Sequence, residues 1–156
     1  MTKKSDSTTG LIEGVYKKWH QVLNGELEID EILHPDCIFW SPVLFHPQKG
    51  RELTKMYLSA ASLVFPGDEA QDNKNAGKKE DISTSFRYTK RILDGYHAVL
   101  EFETSIDGLH VNGVDIISCD DSGLIVEFKV MIRPRKALEK VREQMMNMIE
   151  SLDDIP

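Results

Sequence analysis

The sequence predicts a single α+β domain: three N-terminal helices cover an antiparallel meander, and one more helix follows at the C-terminus. Two observations carry this. Apolar residues recur at helical spacing before residue 66 and after residue 133, whereas the segment between holds alternating runs joined by tight-turn dipeptides. No Pro-, Gly- or Ser-rich linker divides the 156 residues, a length that buries one sizeable core. Helices and antiparallel strands grouped in this way form separate layers.

Leu11, Val15, Trp19 and Val22, with Ile12, Tyr16 and Leu23 beside them, define the first helix, which Asn24-Gly25 ends. The polar start, residues 1–9, is expected as a disordered tail, leaving 10–152 as the domain. A short second helix, about Glu28 to Leu33, is stopped by His34-Pro35, because a residue before proline avoids helical geometry. Cys37-Ile38-Phe39-Trp40 reads as a strand closed by Ser41-Pro42. Gly50 opens a third helix, Arg51 to Phe65, with Leu53, Met56, Tyr57, Ala60 and Val64 on its apolar side, and Pro66-Gly67 ends it. Residues 68–79 are polar and predicted as a mobile loop. Four strands follow, Ile82–Leu93, Tyr96–Ile106, Leu109–Cys119 and Leu124–Ile132. Pro134 then starts a helix striped by Leu138, Val141, Met145, Met148, Ile149 and Leu152.

Turn chemistry sets the register of these strands. Asp107-Gly108 is a two-residue hairpin turn, so Thr104 faces Val111, Phe102 faces Gly113 and Leu100 faces Asp115. The turn Asp120-Asp121-Ser122-Gly123 sets Cys119 against Leu124 and Asp115 against Phe128. Side chains alternate along a strand, so Ala98, Leu100, Phe102, Thr104, Val111, Gly113, Asp115, Ile117, Val126, Phe128, Val130 and Ile132 share one face. That face is apolar except for Asp115. A carboxylate so placed is either a core acid satisfied by a backbone amide or a tyrosine, or a pocket acid whose pKa burial raises.

Composition excludes several function classes. With 26 acidic against 19 basic residues the net charge is −7, which repels phosphate backbones, so nucleic acid is not an expected partner. The basic stretch Arg133, Arg135, Lys136, Lys140 and Arg142 shares its helix with Glu139 and Glu143 and reads as a solvated face. No run is long and apolar enough to span a bilayer and the N-terminus lacks a signal-peptide core, so no membrane association and a cytoplasmic location are expected. Cys37 and Cys119 form no Cys-x-x-Cys pair and read as reduced core residues. No metal-ligand spacing or Gly-rich phosphate loop stands out, and no metal or cofactor is expected.

The run Val114-Asp115-Ile116-Ile117-Ser118-Cys119, its turn Asp120-Asp121-Ser122-Gly123 and the return Leu124-Ile125-Val126-Glu127-Phe128-Lys129 resemble the last hairpin of the nuclear transport factor 2-like superfamily. Within it the chain resembles the SnoaL-like proteins. The opening helix ending at Asn24-Gly25, the stretch from His34 to Val43 and Gly50 before the third helix fit the same resemblance, in order, over nearly the whole chain. It implies a curved mixed or antiparallel sheet, with a cystatin-like topology, wrapping the helices into a conical pocket. A homodimer packed through the sheets is common there. Enzymes and pure binding modules share this fold, so it does not settle function.

In the ketosteroid isomerase branch an acid in this hairpin, kept protonated by apolar surroundings, donates a hydrogen bond to the substrate's developing oxyanion. Asp115 matches that position. The branch places its general base, a carboxylate, in the first strand just before a proline; here that position is Ser41, which cannot take a proton at neutral pH. The branch's phenolic donor falls within a residue or two of Tyr16, and Tyr57 is a second candidate, although both also read as core aromatics. His20, His34 and His46 read as surface or capping residues.

The expected function is therefore binding of a small, mostly apolar molecule in a pocket lined by Phe39, Ser41, Leu100, Phe102, Thr104, Phe128, Val130 and Ile132. Asp115 would be its polar anchor. If the protein is an enzyme, proton-transfer chemistry of isomerase, cyclase or dehydratase type is expected. The alternative is a non-catalytic dimeric module for a ligand or a protein. On the outer face Glu101, Val114 and Lys129 are expected in one cross-strand row and Val99, Ile116 and Glu127 in the next, with Glu101 and Glu103 meeting Lys129 and Arg133. A two-fold copy would match this surface, predicting a homodimer through it.

Overall fold

A computed structural model describes residues 2–65 and 85–153. Helix α1 spans Thr2–Leu23, so its backbone includes the stretch read as a tail, and α2 spans Arg51–Val64. Strands β1 (Leu33–Trp40) and β2 (Gln48–Lys49) flank the loop between those helices. Four longer strands follow: β3 (Arg87–Asp94), β4 (His97–Ile106), β5 (Leu109–Cys119) and β6 (Ile125–Arg133). Helix α3 (Arg135–Asp153) closes the chain. The loop predicted at 68–79 and the start of the strand predicted at Ile82 lie outside the described residues. Among the described residues no helix is long and apolar enough to cross a membrane.

The six strands form one curved sheet in the order β2-β1-β6-β5-β4-β3. β1 runs parallel to β6 and every other pair is antiparallel, which makes the sheet mixed. The α+β cone is thus as expected, with two adjustments. The second helix is a single 3-10 turn, Ile29–Glu31. β1 starts at Leu33, four residues early, and carries Pro35 inside it. Its ladder to β6 is irregular between Leu33 and Ile38, and such a break tolerates a residue with no N–H to donate.

The β4–β5 register is the one the Asp107-Gly108 turn predicts, including Leu100 opposite Asp115. Both turn residues have positive φ, 51° and 82°, as a type I′ turn requires. The β5–β6 register differs: Asp115 faces Val130, and Ile117 faces Phe128. A bulge between Ser118 and Cys119 sets Cys119 against Ile125 rather than Leu124. Its cause lies in the turn, where Asp120 Oδ1 accepts the N–H groups of Ser122 at 2.9 Å and Leu124 at 3.0 Å. The slip totals two residues at Asp115, so Phe128, Val130 and Ile132 keep their face, while Ile125 rather than Val126 is buried.

The outer face is reassembled by the same slip. Its rows become Glu101–Val114–Met131 and Ile92–Val99–Ile116–Lys129. Glu103 pairs with Arg87 at 2.9 Å, Glu101 accepts from Asn112 at 3.0 Å, and Lys129 lies over the Trp40 ring. Neither glutamate meets the cations expected for it.

On the inner face, alternate residues of β4 and β5 are buried throughout. They feed two apolar clusters. One packs Ile12, Val15 and Trp19 of α1 against Leu100, Ile117 and Phe128. The other packs Ala137 and Val141 of α3 against Phe102, Ile106 and Val111.

Candidate functional site

Between the two clusters lies a cavity of about 360 Å³. Trp19, Phe39 and Phe128 line it from the first cluster, and Phe102 and Val141 from the second. Met145, Met146 and Ile149 of α3, together with Pro42, Val43 and Leu44, also border it, so the methionine-rich helix reaches the cavity. Aromatic and aliphatic side chains make most of the wall, a composition suited to an apolar guest.

Asp115 lines this cavity at 6 % exposure. Tyr88 donates its hydroxyl to Asp115 Oδ2 at 2.6 Å, and Trp19 Nε1 donates to Tyr88 Oη at 2.9 Å. An indole N–H can only donate, so Tyr88 must accept from Trp19, and its own proton is committed to Asp115. Burial pushes the Asp115 carboxyl up from 3.8 to about 7, against the Tyr88 hydrogen bond, which pulls it down. Tyr88 is held well above the ordinary phenol range by burial and then by the Asp115 charge and hydrogen bond. It stays protonated at any physiological pH. Asp115 alone is poised to gain or lose a proton near neutrality.

Two backbone features bring these groups together. Along β3 the pairing skips a residue: Arg91 faces Leu100 and Lys90 faces Glu101, yet Tyr88 faces Phe102. An unbroken ladder would turn Tyr88 outward, whereas the extra residue at Thr89 turns it onto the cavity face. At Gly113 an added Cβ would lie 2.5 Å from Phe102 Cζ and 2.6 Å from the Met131 carbonyl oxygen. Glycine at this position lets the Phe102 ring lie across β5 beside Asp115.

A steroid delta-isomerase from Pseudomonas aeruginosa matches over 91 % of this chain and 93 % of its own, at 28 % identity and a TM-score of 0.76. A cystatin-like protein from Silicibacter pomeroyi matches over 78 % of this chain and 74 % of its own, at 26 % identity and a TM-score of 0.64. A nuclear transport factor 2-like protein from Mesorhizobium loti shares the fold at 17 % identity and a TM-score of 0.60, over 81 % of this chain and 93 % of its own. The chain has the nuclear transport factor 2-like fold. No family model and no curated protein matches it.

In this nuclear transport factor 2-like fold Phe39, Ser41, Phe102, Phe128, Val130 and Ile132 border the cavity with Asp115. Tyr57 does too, its ring stacked on Phe39 at 5.4 Å between centroids. Leu100 and Thr104 share the buried face but do not reach the cavity, being enclosed in the packing at 0 % and 1 % exposure. Tyr16 points elsewhere: its hydroxyl accepts from Arg91 at 3.2 Å, with the guanidinium over its ring. Ser41 Oγ accepts the backbone N–H groups of Val43 and Leu44. His46 packs edge-on against Phe45, away from the cavity lining. Sequence reasoning missed Tyr88 as the partner of Asp115, and Trp19 as the donor to Tyr88. Trp19 was legible as a buried position of α1, but Tyr88 depends on the β3 bulge, which no residue type announces.

Proposed function

We propose that the protein binds a small, mostly apolar molecule carrying a carbonyl or enol, and that Asp115 moves a proton to or from it. One observation carries this reading: an acid with a pKa of about 7, its Oδ2 occupied by Tyr88, faces an aromatic cavity. A group titrating near the working pH serves as both acid and base. Protonated Asp115 would donate to a carbonyl oxygen and steady charge developing there. Ionised Asp115 would accept a proton from the carbon beside it. Shuttling one proton between two positions covers isomerisation, cyclisation and dehydration. The likeness to a steroid delta-isomerase supports this class of chemistry.

Ser41 supports a second reading. A serine there supplies no second carboxylate, which favours a module that binds without turnover and uses Asp115 as an anchor. Both readings include a homodimer through the outer face, where exposed Ile92 and Met131 join Val99, Ile116 and Val114 in an apolar stripe beside Lys129 and Glu101.

The test uses aryl ketones in deuterated buffer, with wild type and Asp115→Asn compared by thermal shift and proton NMR. A ligand at about a hundred times its Kd adds roughly 2.7 kcal/mol, several degrees of melting temperature. Proton transfer predicts that wild type exchanges the ketone's α-hydrogen for deuterium while the variant binds without exchange. Binding with no exchange by either protein selects the non-catalytic module. No stabilisation of wild type by any ketone sinks both.

A further inference from the structure

The cavity's second buried polar group, Ser41, is restricted by its own hydrogen bonds. A hydroxyl has one proton and two acceptor lone pairs. Ser41 Oγ accepts from Val43 N–H at 2.9 Å and from Leu44 N–H at 3.1 Å, which fills both. The O–H remains, with no acceptor for it among the described residues, on a side chain only 9 % exposed that borders the cavity. A buried donor left unmade is costly. With its lone pairs taken, this hydroxyl can only donate.

Its position relative to Asp115 follows from the register. Trp40 pairs with Lys129 in the parallel ladder, and Val130 pairs with Asp115. Ser41 follows Trp40, one residue past the end of β1, as Val130 follows Lys129, so continuing the ladder puts Ser41 in the row of Val130 and Asp115. Ser41 also shares the face of Phe39, two residues before it, which lines the cavity. Two strand spacings separate the backbones of Ser41 and Asp115 by roughly 10 Å. At that separation an acceptor for each group places two polar atoms along the ligand.

We propose that Ser41 is a second, donor-only anchor and that the ligand is an elongated apolar molecule with a hydrogen-bond acceptor, such as a carbonyl oxygen, toward each end. One acceptor meets Asp115 and the other meets Ser41. This rests on the ligand-binding reading above and adds to it the ligand's length and its two-ended polarity. It also gives Ser41 a role that a carboxylate at the same position could not fill, because a carboxylate has no proton to offer.

The test exploits the shapes of Asn and Asp. Either side-chain oxygen can accept the loop N–H groups as an Asx turn does, but Asn keeps a donor and Asp does not. The probes are acetylnaphthalene, with one carbonyl, and diacetylnaphthalene with acetyl groups at opposite ends, titrated into the full chain by calorimetry. Wild type is expected to prefer the diketone by about tenfold, the worth of one added hydrogen bond to a buried donor. Ser41→Asn retains that preference, whereas Ser41→Ala and Ser41→Asp lose it. Melting curves confirm that each variant is folded, and the Asn and Asp pair holds the loop if Ala does not. Equal affinities of wild type for the two ketones, or an undiminished preference in Ser41→Asp, overturns the proposal and leaves ligand binding standing. Failure of folded wild type to bind either ketone overturns both.

Discussion

Replacing Asp115 by Asn should make the fold more stable at neutral pH and leave it nearly unchanged below about pH 4. The folded carboxyl titrates near 7 rather than 3.8, so between those values the folded chain holds a proton that the unfolded chain has released. Stability therefore falls as pH rises through that window and levels off above it. A displacement from 3.8 to about 7 amounts to roughly 4 kcal/mol at the plateau. For a domain of this size that is at most about 8–16 °C of melting temperature. Asn carries no titrating proton, and its amide oxygen still accepts from Tyr88. Melting both proteins by circular dichroism every half unit from about pH 3 to 8.5, and subtracting, cancels every other titrating group. The difference should open from about pH 4, favour Asn increasingly, and flatten near pH 8. Parallel melting curves at every pH would show that Asp115 titrates in the ordinary carboxylate range and that burial does not control it.

Tyr88→Phe removes the donor that opposes desolvation, so the Asp115 midpoint should rise further, read from its carboxyl signal by NMR. It also leaves Trp19 Nε1 without its acceptor and should cost about 1–3 kcal/mol of stability. Gly113→Ala forces a methyl against Phe102 and the Met131 carbonyl, and about 1–3 kcal/mol of destabilisation is expected in denaturant melts, as for other overpacked interiors. Ile116→Glu places a charge in the outer apolar stripe; light scattering should read a dimer for wild type and a monomer for the variant. A ligand that accepts from protonated Asp115 should weaken about tenfold per pH unit above 7, with proton uptake on binding. Calorimetry in two buffers of different ionisation enthalpy would detect that uptake, and an affinity constant from pH 6 to 9 would remove the hydrogen bond.

The parts of the fold legible in the sequence were those governed by short-range rules. Asp107-Gly108 dictates the β4–β5 pairing because a two-residue type I′ turn allows one register, and that pairing alone put Asp115 opposite Leu100 on the buried face. Longer turns carry no such constraint. The Asp120–Gly123 turn folds around its own aspartate and shifts β6, which moved Phe128 two places while preserving its face. β3 was less legible still, since the bulge that turns Tyr88 inward follows from packing against Phe102 and Phe86 rather than from any turn residue. Tyr16 and Tyr57 illustrate the same limit. Both lie on apolar sides of helices, yet only the packing of the whole chain sends one to Arg91 at the sheet edge and the other to Phe39 in the cavity.

What Asp115 does for the fold argues for a use in the site. An acid kept there solely for packing opposes stability at neutral pH, and an apolar side chain of similar volume would remove that penalty. Tyr88 lessens the penalty without abolishing it, because it donates its proton to the carboxylate and so lowers its pKa against burial, while Trp19 donates to the Tyr88 oxygen and leaves that proton committed to Asp115. The result is a midpoint near neutrality, which neither full solvation nor full isolation would produce. A ligand with an acceptor oxygen against the protonated form would favour that form and recover part of what desolvation costs. Binding and protonation are then one equilibrium. The guest that suits this cavity is one whose polar end needs a proton near pH 7, and whose apolar body fits between Phe39, Phe102 and Phe128.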